Sequence, residues 1–112
     1  MAWLDTVKAE LAAGRAVQLR GSGPSMAGRI DDGAYVTLSP VADVRAEDMV
    51  LVRVPSGKHY VHLVREVAGG KYLIGNMRGE IDGWVERADI LGTVTRVGND
   101  PRFGGVTVRD DE

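Results

Sequence analysis

The residues with the clearest potential for chemistry lie in one glycine-rich stretch, residues 21–30, which reads GSGPSMAGRI. This stretch places Ser25 directly after Pro24 and among three glycines. Glycine allows backbone angles with positive φ, and proline fixes φ and removes a hydrogen-bond donor. A serine held on such a bend can act as a nucleophile, with backbone N–H groups nearby to bind an oxyanion. The same composition is also typical of an ordinary turn between two strands.

A histidine that could accept the serine proton lies in the longest predicted strand, residues 58–67. Because side chains alternate between the faces of a strand, Lys58, Tyr60 and His62 share one face and His59 points to the other. Histidine changes charge near neutral pH and is therefore a common general base. His62 is the first candidate for this role and Lys58 the second, whereas His59 is predicted to lie at the surface. The alternative for His62 is a half-buried side chain with an ordinary hydrogen bond.

The elements that position these residues are predicted to be mainly strands. A helix over about residues 3–13 is indicated by four apolar residues at helical spacing, Trp3, Leu4, Val7 and Leu11. Its apolar side packs on the core, or it docks a partner with Trp3 as anchor. Short apolar runs between turn residues predict about seven strands between residues 16 and 109, and Trp84 is predicted to enter the core. We therefore expect one domain over residues 1–112, mainly β, in which a small sheet folds on itself or closes into a barrel.

Composition narrows the function classes. The chain has 112 residues, a net charge of -2 and no cysteine, which excludes disulfides, thiolate metal sites and a cysteine nucleophile and argues against a large nucleic-acid surface. The two histidines fall on opposite strand faces, so no metal site is expected. No stretch approaches the roughly 20 apolar residues of a membrane span. We expect a soluble, cytoplasmic protein that uses no cofactor and binds neither nucleic acid nor membrane.

Several segments occur in an order that is typical of one family. The first is Gly23-x-Ser25-Met26, followed by Ile30, Gly33 and Val36; the others are residues 47–52, 60–67, 73–76 and 90–94. This arrangement resembles the superfamily of signal peptidase I and the LexA-type self-cleaving repressors, whose Ser-Met box is followed by a Gly-Asp strand, a strand with the general base and a closing Gly-x-Val strand. The resemblance covers about residues 17–97 and implies a LexA/signal-peptidase-like fold.

The resemblance also implies roles for particular residues. Ser25 stands at the position of the nucleophile, and His62 at the position of the base, which is a lysine in bacterial members and a histidine in signal peptidases of the endoplasmic-reticulum type. Asp82 is implied as the acid that orients the imidazole, with Glu80 as the alternative. The backbone N–H groups of Ser25 and Gly23 would form the oxyanion site. A substrate groove is expected to include Met26, Asn76, Arg78 and Glu80.

The chain departs from the family pattern at four places, and these departures leave two functions open. Gly28 replaces a proline, Ala34 replaces an aspartate, Asn76 replaces the aspartate of a Gly-Asp-Asn loop, and Leu63 replaces a basic residue after the base. The first hypothesis is a small serine peptidase that acts on an extended peptide. The second is a catalytically silent domain of the same fold that serves as a protein-binding or dimerisation module, for example as a homodimer.

Overall fold

A computed structural model describes residues 2–21, 25–100 and 102–109. Within these residues, one helix, α1 (Ala2–Ala12), precedes eight strands and a short 3₁₀ helix, Arg87–Asp89. The strands are β1 (Val17–Arg20), β2 (Tyr35–Ser39), β3 (Met49–Arg53), β4 (His59–Ala68), β5 (Lys71–Gly75), β6 (Ile81–Val85), β7 (Ile90–Gly98) and β8 (Thr107–Arg109). The prediction of a mainly β chain with one short N-terminal helix is confirmed.

The strands form one open, mixed sheet with the order β6-β5-β4-β3-β7-β2-β1-β8. Strand β8 pairs with β1 in parallel, and the other neighbouring pairs are antiparallel. Of the two predicted architectures, the closed barrel is therefore wrong, and the sheet has one strand more than the approximately seven that were predicted. The barrel fails because β6 and β8 are the two edges of the sheet and do not pair with each other. The missed strand is β6, in which Asp82 and Gly83 interrupt the apolar alternation that marks a strand.

Apolar side chains pack on both faces of the sheet. One cluster joins α1 to β1, β2 and the middle of the sheet, and it includes Trp3, Val7, Leu19 and Leu51. The other joins β3 to β5, β6 and β7. Trp3 is only 7% exposed, so α1 packs on the core and does not present Trp3 as a docking anchor. Trp84 is 43% exposed on the edge strand β6, and its predicted burial is wrong.

Glycine 92 allows α1 to approach β7 closely. A Cβ added at Gly92 would lie 2.9 Å from Leu11 Cδ1 and 3.2 Å from the Ser39 carbonyl oxygen, so the Leu11 side chain would have to move. The pairing of β3 with β7 also shifts register beside Gly92, and a glycine within a strand often marks such a bulge. In the part of the chain that the structure describes, no helix has the length and apolar character needed to cross a membrane.

Candidate active site

Ser25 lies on the loop between β1 and β2, and this loop is held from two sides. On the inner side, Met26 and Ile30 are buried in the core, and the Ile30 N–H donates a 2.7 Å hydrogen bond to the Met26 carbonyl. On the outer side, the Met77 N–H donates a 2.9 Å hydrogen bond to the Ser25 carbonyl. The loop between β5 and β6, which contains Met77, therefore fixes the backbone of Ser25.

Gly28 explains one departure from the family pattern. Its φ is +98°, a left-handed conformation that proline cannot adopt because the ring fixes φ near −65°. The loop after Ser25 thus follows a backbone path that requires a residue other than proline. Gly23 lies outside the described residues, and its contribution to an oxyanion site stays a prediction, as does that of the Ser25 N–H.

His62 lies in β4 with 3% of its surface exposed, opposite Val50 of β3. Its Nε2 atom is 3.2 Å from Ser25 Oγ. Tyr60, two residues earlier on the same strand face, stacks on the imidazole with ring centroids 4.5 Å apart and planes 8° from parallel. The ring is therefore fixed by burial, by stacking and by the bond to Ser25.

Asp82 reaches the other ring nitrogen of His62. Its Oδ2 atom is 2.7 Å from His62 Nδ1, and its side chain is 17% exposed. A bulge in β6 aims this side chain: Ile74 pairs with Gly83 and Gly75 pairs with Ile81, which leaves Asp82 as the extra residue. The bulge is the local reason why Asp82 points to β4 across the intervening strand β5.

Two glycines give the bulge its space. A Cβ at Gly75 would lie 2.8 Å from the Glu80 carbonyl oxygen, so no larger residue fits without moving the backbone. Gly83 has φ of +128°, and a Cβ there would lie 2.9 Å from Pro55 Cγ. Both positions therefore depend on glycine, one for the close approach of the loop at Glu80 and one for backbone conformation.

Glu80, the alternative to Asp82, bonds to the loop and not to the imidazole. Its carboxylate accepts a 2.9 Å hydrogen bond from Asn76 Nδ2. Asn76 is 5% exposed, and its Oδ1 atom accepts from the N–H groups of Arg78 and Glu80. Asn76 therefore organises the turn between β5 and β6, which is a structural role that the sequence reasoning did not foresee.

Two cavities meet at Ser25, Tyr60 and His62. The first, of about 110 Å³, is mainly apolar and reaches inward past Met26 to α1. The second, of about 360 Å³, is bordered by Asn76, Glu80, Ile81 and Asp82. Of the four predicted groove residues, Met26 thus lines the apolar cavity, and Asn76 and Glu80 line the polar one. The Arg78 side chain is 61% exposed and is not among the described residues that border either cavity.

Lys58 and His59, the other residues considered with His62, lie just before β4 and at its first position. Lys58 is exposed in the turn before the strand. His59 is half-buried and borders the apolar cavity. Burial lowers the pKa of His59 from its ordinary value, and the nearby charges of Lys8 and Arg53 lower it further. His59 is therefore a neutral group near the cavity at pH 7.

The side chains of Ser25, His62 and Asp82 form a continuous line of hydrogen bonds. A carboxylate can only accept, so the bond to Asp82 places a proton on His62 Nδ1 and leaves Nε2 free to accept the proton of Ser25. This arrangement can activate the Ser25 hydroxyl for attack on an acyl carbon. Across the described segments, no cluster of three or more histidine and carboxylate side chains is placed to hold a metal ion.

Sequence reasoning missed two residues beside this line, Tyr60 and Trp3. The alternation of side chains along the strand puts Tyr60 and His62 on one face, and this is the signal from which the stacking of their rings could be predicted. Trp3 borders the apolar cavity from α1, and nothing in the local sequence connects it to Ser25.

Comparison of the chain with protein-family models and with curated proteins found no match.

Proposed function

We propose that this protein is a serine hydrolase that cleaves an acyl bond in an extended peptide, with Ser25 as nucleophile, His62 as general base and Asp82 as the group that orients the imidazole. The single observation that carries the proposal is the line from Ser25 Oγ through His62 to Asp82, with distances of 3.2 and 2.7 Å. Both distances are within the range expected of a free enzyme.

The proposed reaction follows from this geometry. Ser25 Oγ bonds to the carbonyl carbon of the substrate while its proton passes to His62 Nε2. The same proton then passes to the leaving amine as the C–N bond breaks, which leaves an acyl group on Ser25. Water attacks that ester with His62 again as base, and hydrolysis restores the serine. Asp82 stabilises the imidazolium that exists between the two proton transfers.

An extended substrate is supported by the pairing of β4. Residues 59–62 pair with β3 on one side, whereas in the described part of the chain pairing with β5 begins only at Leu63. The free side of this segment lies beside Ser25, where an added strand would find backbone partners. The two cavities that meet at Ser25 would then receive side chains on either side of the scissile bond.

The resemblance to the signal peptidases and the LexA-type repressors agrees with this proposal. It assigns the nucleophile, base and acid to the same three residues that share hydrogen bonds. We infer that the chain has a fold of that kind, extended by α1 at its N-terminus. The silent binding module stays the competing hypothesis, and it predicts that Ser25 lacks unusual reactivity.

Reaction with a fluorophosphonate probe separates the two hypotheses. Wild-type protein should gain one adduct by intact-mass spectrometry, and peptide mapping should place it on Ser25. Ser25→Ala and His62→Ala should show none, and Ser56→Ala, a change in an exposed turn, should react like wild type. No labelling of wild type, or labelling that survives His62→Ala, would contradict the hydrolase.

A further inference from the structure

The apolar cavity beside Ser25 has its inner wall in α1, an element that the sequence resemblance does not cover. The cavity measures about 110 Å³. Its apolar lining consists chiefly of Trp3, Leu19, Met26, Ile30, Val36 and Leu51. We propose that this cavity binds an aliphatic side chain of the substrate and that Trp3 sets the largest side chain it accepts. The role of this cavity in catalysis rests on the proposed function, whereas its binding of an aliphatic group does not.

The size of the cavity selects a class of side chain. An engineered apolar cavity of about 150 Å³ holds a benzene molecule, so a cavity of about 110 Å³ suits a branched or linear aliphatic group of about four carbons and not an aromatic ring. Asp31 and His59 also border the cavity, but most of its wall is apolar, so an aliphatic side chain is favoured there over a charged one. The preferred substrate therefore carries valine, leucine, isoleucine or methionine at this position.

Trp3 is suited to set the limit because its position is fixed. It is 7% exposed, and α1 is packed through Leu4, Val7 and Leu11 into the same core cluster. Helix α1 also contacts β1, β7 and β8, which hold it from three strands. A smaller residue at position 3 would therefore add volume to the cavity without displacing the helix.

Hydrolysis of p-nitrophenyl esters of increasing acyl length tests the proposal. In wild type, kcat/KM should rise about fourfold for each methylene that enters the cavity, reach a maximum at butyrate or valerate, and fall for octanoate. Trp3→Phe should move the maximum to a longer chain. Val36→Leu, which adds a carbon at another residue of the cavity lining, should move it to a shorter one. Trp84→Phe makes the same change at an exposed tryptophan outside the cavity and should keep the wild-type profile.

A binding measurement keeps the cavity separate from catalysis. In Ser25→Ala, isovaleramide should shift the NMR signal of the Trp3 indole N–H, and benzamide at the same concentration should not. A shift in this experiment without turnover of any ester by wild type would overturn the hydrolase and keep the cavity. Turnover with a flat chain-length profile, or a maximum that neither Trp3→Phe nor Val36→Leu moves, would overturn the role of Trp3 and keep the hydrolase. An indole signal that isovaleramide leaves unchanged would overturn the proposed cavity site. If Trp3→Phe fails to fold, Val36→Leu alone tests the proposal, because its maximum in kcat/KM should move to a shorter acyl chain.

Discussion

Replacement of Asp82 with asparagine keeps the size of the side chain and removes the negative charge 2.7 Å from His62 Nδ1. The new amide group can donate a hydrogen bond, so it favours the tautomer with a bare Nδ1 and a proton on Nε2. That tautomer cannot accept the proton of Ser25. The substitution therefore removes both the charge that stabilises the imidazolium and the correct position of the proton.

The size of the effect follows from the distances and the burial. Opposite charges about 4 Å apart interact by about 4 kcal/mol at an effective dielectric constant near 20. The side chains of His62 and Asp82 are only 4% and 17% exposed, so this value applies with little screening by water. A loss of about 4 kcal/mol lowers the rate about 10³-fold, and the wrong tautomer brings the expected loss in kcat to about 10⁴-fold.

The assay compares kcat for Asp82→Asn and Glu80→Gln on the best p-nitrophenyl ester. Glu80 bonds to Asn76 and not to His62, so Glu80→Gln should lower kcat less than about tenfold. Both variants should unfold at urea concentrations close to that of wild type, because asparagine can still bond to the imidazole. Retention of more than about a tenth of the wild-type kcat by Asp82→Asn, or equal losses in the two variants, would refute the orienting role of Asp82.

Three further predictions concern residues near the site and in the sheet. Tyr60→Ala should lower kcat about tenfold with little change in KM, because the stacked ring no longer fixes His62, and Tyr60→Phe should restore the wild-type kcat; an equal loss in both variants would contradict stacking. Glu47 has φ of +78°, so Glu47→Gly should be more stable to urea than Glu47→Ala by about 1 kcal/mol, and equal stability would mean that this backbone carries no strain. His59 should titrate by NMR below its ordinary value, and Lys8→Gln should raise its pKa; a titration that Lys8→Gln leaves unchanged would exclude the effect of that charge. Because the unfolded chain binds this proton more readily, the stability of the fold should fall as pH decreases below about 6.5 and level off once the folded protein is also protonated.

The local elements could be predicted from the sequence because each has a local signal. The helix follows from four apolar residues at helical spacing, and seven strands follow from apolar runs between turn residues. The open sheet could not be predicted in this way. The parallel pairing of β8 with β1 joins residues about 90 positions apart, and no local pattern records which edges meet.

The site could be predicted in part, and the reason differs for each residue. Ser25 lies in a distinctive glycine-rich segment, and His62 occupies a definite place in a strand. Asp82 could be placed only approximately, because its direction depends on a bulge in a strand that the sequence did not reveal. The cavity wall at Trp3 depends on the packing of α1, which only the folded chain establishes.

The hydrogen bond from the Met77 N–H to the Ser25 carbonyl makes the position of Ser25 depend on the loop between β5 and β6. The hairpin of β5 and β6 supplies both this bond and Asp82, and β6 is an edge of the sheet. Edge hairpins open more easily than central strands, because fewer neighbours hold them. The nucleophile and the orienting carboxylate would therefore be lost together when this single hairpin detaches, while the rest of the sheet stays folded. The working lifetime of the site is thus set by its outermost strand pair and not by the stability of the core.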